Sequence, residues 1–188
     1  SFPTRRSSDL LSAFYELFIP HIQRWIEVKT EFSSTSYEDV LVLISCIVAE
    51  LPSPLPLPLQ KLFTTLLSNT DPLAFEVEEE TLETFIAKQP ELMNSSVNMQ
   101  AAQAIIRSIL AATMKTDGYE TNATIALRLS RCIITCCMGT VDGFVDFLIR
   151  LTLPTINNVN NNITRLEIFE TVLYCFFYNP GLTLDIIN

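Results

Sequence analysis

On a helical wheel at about 100° per residue, Leu166, Phe169, Leu173, Phe176 and Phe177 fall on one side, and Ile168, Val172 and Cys175 extend it. Glu167, Glu170, Thr171, Tyr174 and Tyr178 gather opposite. The apolar arc covers roughly 200°, wider than the stripe of an ordinary surface helix, so this helix is expected to need neighbours on two sides. Asn179-Pro180-Gly181 should end it, because proline removes a donor and disfavours helical geometry in the residue before it. A second amphipathic stretch, 182–187, follows at once. Helix, short stop and helix, apolar on two flanks, is what the interior of an α-solenoid requires.

Upstream, the same periodicity predicts a helix over 11–19, with Pro20 beginning or kinking a further segment over 21–29. Residues 31–35 are polar and serine-rich and read as a loop. Ser36, with Asp39 three positions on, resembles a capping box and opens a helix to about Glu50. Its β-branched core, VLVLISCIVA, would also fit a buried strand, but the length and the cap favour helix. LPSPLPLP at 51–58 carries proline at every second position and predicts an extended, polyproline-like connector at a repeat boundary. A short helix over 59–67 follows, and Asp71, with Pro72 in the first turn, opens another over 73–89 that Pro90 stops. Ser96 is the expected cap of a helix over 97–115, closed by Thr116-Asp117-Gly118. A helix over 121–138 ends at Gly139, and Thr140 caps one over 141–152 that Pro154 kinks or ends. NNVNNN at 157–162 is a loop. A helix pair about every 40 residues is the period of HEAT or armadillo arrays, although no sequence motif visibly repeats.

Composition agrees with an all-α protein. The chain has 188 residues, 48% hydrophobic, ample for a core, and only four glycines, too few for a sheet protein rich in tight turns. Residues 1–10, SFPTRRSSDL, resemble the translation of a common sequencing-adapter oligonucleotide and are read as a non-native tail. On that reading the native polypeptide continues upstream, and 11–188 is a segment of about four helix pairs. Setting aside Arg5, Arg6 and Asp9 moves the net charge from −9 to −10. An acidic balance argues against direct DNA or RNA binding, which needs a basic footprint, and suits basic protein partners. No apolar run is long enough to span a bilayer, and no signal peptide is visible. Five cysteines, an odd count without framework spacing, fit reduced thiols of the cytosol or nucleus.

Catalytic motifs are few. His21 is the sole histidine, and no nucleophile context such as G-x-S-x-G accompanies it. Cys132 and Cys136 share a helix face with Ile125 and Leu129, so they read as core side chains rather than metal ligands, which would want C-x-x-C spacing or histidine partners. No phosphate loop or dinucleotide fingerprint is present. The strongest charge feature is the run Glu76, Glu78, Glu79, Glu80 and Glu83. Glu76, Glu79, Glu80 and Glu83 stand at i, i+3, i+4 and i+7 and share a helix face. Such a run is most simply a solvated face. The functional alternative is a docking surface for a lysine- or arginine-rich partner, and these four residues are the candidate cargo-binding site.

Two segments carry a family resemblance: VDGFVDFLIRLTLPTI from Val141, and RLEIFETVLYCFFYNPGLTLDIIN from Arg165, with the Tyr178-Asn179-Pro180 stop its most specific part. Together they resemble the C-terminal half of an importin-β-superfamily nuclear transport receptor, in the importin seven/eight branch. The helix at 121–138 aligns plausibly, so the resemblance covers about half the chain. It implies tandem HEAT repeats, no enzymatic activity and no cofactor. It also implies carriage of basic protein cargo through the nuclear pore under control of the GTPase Ran, with shuttling between nucleus and cytoplasm. The Ran and nucleoporin contacts of such a receptor would lie mostly outside this segment. The rival readings are a HEAT-repeat structural scaffold of another cytosolic complex and a non-catalytic subunit of an enzyme.

Overall fold

The computed structural model describes residues 16–24, 26, 34–72, 75–113 and 120–188. Every regular element among them is helical: α1 (16–24), α2 (Ser34–Glu50), α3 (Leu57–Ser68), α4 (Phe75–Lys88), α5 (Ser96–Thr113), α6 (Glu120–Cys136), α7 (Asp142–Ile156), α8 (Asn162–Tyr178) and α9 (Pro180–Ile187), with a 3-10 turn at Pro90–Asn94. The expected tail at 1–10, the ends of the two N-terminal helical segments at 11–15 and 27–29, residues 31–33 of the expected loop and the stop at 116–118 lie outside the described residues.

The order of packing is regular. α2 lies on α4, α4 on α6 and α6 on α8, while α3 lies on α5, α5 on α7 and α7 on α9. The even helices make one row and the odd helices a second, and sequence neighbours such as α5 and α6 join the rows. The core fills the space between. Phe63 of α3 meets Phe85 of α4 with ring centroids 5.4 Å apart, and Ile106, Leu129, Phe144 and Leu148 are all at most 1% exposed. Full burial of each such side chain contributes about 1.5–3 kcal/mol.

Several boundaries differ from the sequence expectation for local reasons. α2 starts at Ser34, inside the expected loop, so Ser36 sits within the first turn. The β-branched core forms helix, not strand, because Val40, Ile44, Ile47 and Val48 fall on one buried face. The proline-rich connector ends at Pro56, since Leu57 and Pro58 already belong to α3. Proline in a first turn forfeits a donor that has no intrahelical partner in any case. Pro154 lies inside α7, which continues to Ile156.

Thr140 does not cap α7, because its hydroxyl donates to the Cys137 carbonyl. Tyr178 does that work from α8: its Oη accepts from the Val141 N–H at 3.1 Å and donates to Asp142 Oδ1 at 2.8 Å. Gly139, as expected of a terminator, holds φ +86°, a conformation an L side chain rarely adopts.

The largest departure concerns α8. Leu166, Phe169, Leu173, Phe176 and Phe177 are exposed, and the buried positions are Thr164, Ile168, Thr171 and Cys175. α6, held between two row neighbours, buries eight residues around its circumference, but among the described residues α8 has only α6 beside it in its row. Small side chains let α6 approach closely. Thr171 buries at low cost because its hydroxyl returns to the Glu167 carbonyl at 2.8 Å.

Candidate functional site

α4 must serve two row neighbours as well as α3, so its acidic sequence is distributed around what circumference remains. The four glutamates expected on one face are divided. Glu76 and Glu80 are exposed, Glu83 is half-buried, and Glu79 is only 5% exposed, turned toward α6. The simplest expectation, a wholly solvated face, is therefore corrected at Glu79. Arg128 of α6 comes within 3.5 Å of that carboxylate. Burial first, then the charge of Glu83, pushes Glu79 up to about 7, against the opposing pull of Arg128. A side chain so enclosed is part of the α4–α6 seam, and a bound partner would reach Glu76 and Glu80 instead.

On the other flank α4 meets α2. Glu78 is fully buried and accepts a 2.6 Å hydrogen bond from the Tyr37 hydroxyl. Burial and the adjoining carboxylate drive the tyrosine far above its ordinary range, so it remains a donor. Further along, Ser45 Oγ donates to Thr81 Oγ1 at 3.0 Å, and Thr81 reaches the Leu41 carbonyl at 3.3 Å. These polar clasps fix the spacing of the two helices and satisfy groups that would be costly to bury alone.

Above the clasps the surface opens into a groove of about 580 Å³ between α2 and α4. Leu41, Val42 and Val77 supply apolar walls, and Glu38, Glu76 and Glu80 supply carboxylates. All three glutamates are exposed, and no ion pair among the described residues engages them. The arginines of α6 are committed elsewhere. Arg128 faces Glu79, and Arg131 lies 2.7 Å from Glu167 and 3.7 Å from Glu170, with its guanidinium 5.9 Å above the Tyr174 ring. The groove thus combines apolar contact with uncompensated negative charge, a chemistry suited to holding a basic, partly apolar chain segment.

Glu38 and Tyr37 escaped the sequence reading. A signal existed, since Tyr37, Leu41 and Ser45 recur at four-residue spacing along α2, the spacing of one helix face. Four of the five cysteines behave as packing groups, whereas Cys46 is exposed at the α2–α4 groove. Cys132 and Cys136 are half-buried with sulfurs 3.9 Å apart, and burial raises the thiols of Cys137 to about 11 and Cys175 to about 12. His21 is exposed on α1. Among the described residues no three His, Cys, Asp or Glu side chains gather as a metal site, and no helix is long and apolar enough to cross a membrane. No family model, curated protein or solved structure matches the chain.

Proposed function

We propose that the chain is a protein-binding scaffold without chemistry of its own: a HEAT-type α-solenoid segment of an importin-β-superfamily nuclear transport receptor that holds basic cargo in the α2–α4 groove. Three things support this reading. The helices of the even row begin at Ser34, Phe75, Glu120 and Asn162, about 40 residues apart, as in HEAT and armadillo arrays. Each also packs on the next member of its own row. Residues 141–188 carry the family resemblance, including the Tyr178-Asn179-Pro180 stop. The observation on which the binding role rests is the groove itself, where Glu38, Glu76 and Glu80 flank apolar walls and face no cation among the described residues. Ran and nucleoporin contacts belong, on this reading, to other parts of the receptor.

A second reading, a structural scaffold within another complex, is favoured by the uncovered apolar face of α8, which fits permanent assembly better than transient carriage. A non-catalytic enzyme subunit would bind through the same kind of surface.

Fluorescence anisotropy of a labelled lysine- and arginine-rich peptide tests the cargo role. The parent chain should bind it at low salt and weaken at least about tenfold on reaching 0.15 M ionic strength. Glu76→Lys with Glu80→Lys should abolish binding while leaving the melting temperature unchanged. Equal affinity in parent and double variant would contradict the assignment.

A further inference from the structure

We infer that the α2–α4 groove takes a short extended segment in which consecutive basic residues adjoin an apolar one, so that it selects its partner by residue order as well as by charge. This rests on the cargo role proposed above and specifies the occupant. The two helices run parallel: Tyr37 meets Glu78, Ser45 meets Thr81, and the Lys88 ammonium donates to the Ala49 carbonyl at 2.8 Å. Glu38 of α2 therefore lies near the level of Glu76 and Glu80 of α4, all within the first two turns of their helices. Val42, which is 61% exposed, and Cys46, also exposed, follow Glu38 one and two turns further along the same face of α2. Past them the exposed Glu50 and the half-buried Lys88 carry opposite charges. The excess of negative charge is thus confined to one end of the groove, and exposed apolar contact to the other.

Length and floor select an extended chain. Residues 38–46 of α2 rise about 12 Å, room for about four residues at about 3.3 Å each. The floor is polar as well as apolar. Ser45 Oγ, half-buried in it, donates its one proton to Thr81 and keeps lone pairs that can accept. The main-chain N–H groups of an extended segment are free to donate there, whereas those inside a helix are already bonded. Three basic residues over Glu38, Glu76 and Glu80 leave the next side chain beside Val42 and Cys46, which offer small apolar surfaces. A further cation at that point would gain no carboxylate of its own and would be partly desolvated against apolar walls.

Fluorescence anisotropy with labelled peptides of equal length, on the full chain, tests the inference. The first carries three lysines followed by two valines, the second alternates the same five residues, and the third has serine in place of each valine. The parent should bind the first about fivefold or more tighter than either of the others. Val42→Asp should remove that preference and tighten binding of a five-lysine peptide about fivefold, with an unchanged circular dichroism spectrum. Equal affinity of the parent for all three peptides, lost together in the Glu76→Lys, Glu80→Lys variant, would overturn the inference and leave the cargo role standing. A bound peptide whose NMR shifts turn helical would do the same. Failure of the parent to bind any of the peptides at low salt would overturn both.

Discussion

Glu79 shows how a single carboxylate can be forced into a role its sequence does not announce. The folded chain keeps its proton up to about 7, whereas a free glutamate releases it near 4.5. Between those values the folded state holds the extra proton, so stability falls as pH rises through the window and is level on either side. Glu79→Gln removes that cost. Urea unfolding should find the variant more stable than the parent by up to about 3 kcal/mol at roughly pH 8, and indistinguishable from it near pH 4. A constant difference between the two at both pH values would mean that Glu79 ionises normally. The same burial explains why charge reversal at Glu79 is a poor probe of binding: it would place a lysine inside the α4–α6 seam beside Arg128, and any loss of affinity would report unfolding.

At the scale of elements, most of the fold is legible in the sequence. α5, α6 and α8 follow their apolar periodicity to within a few residues wherever both ends are described, and Asn179-Pro180 ends one helix and begins the next. Asn179 serves both. Its N–H donates to the Cys175 carbonyl, and its Oδ1 accepts from the Leu182 N–H at 3.1 Å. Asn179→Ala should therefore cost about 1 kcal/mol, measurable as a lower urea midpoint, and an unchanged midpoint would show that the α8–α9 corner is held by packing alone. Orientation is what periodicity could not supply. The wheel of α8 shows a broad apolar arc but not which neighbour is present, and α6 packs on the threonine and cysteine side. The glutamate run was equally visible as one face, yet the choice of Glu79 for burial and of Glu76 and Glu80 for the surface depends on where α2 and α6 lie. Glu38 joins them only because α2 and α4 are adjacent, a contact across some forty positions of chain with no local signature.

The whole molecule is a two-row stack whose even row changes character along its length. At α2 and α4 the surface is acidic and grooved, at α6 the arginines meet glutamates of α4 and α8, and at α8 it becomes a bare apolar strip. The net charge of −9 is thus not spread evenly: the carboxylates gather at the α2–α4 groove, away from the apolar strip of α8. The most direct measurement is hydrogen–deuterium exchange of the chain with and without a saturating lysine- and arginine-rich peptide. Slowed exchange confined to residues 38–46 of α2 and 76–81 of α4, with α8 unaffected, is the predicted result. Unchanged exchange in those two segments, with protection appearing elsewhere, would contradict the groove as the binding site.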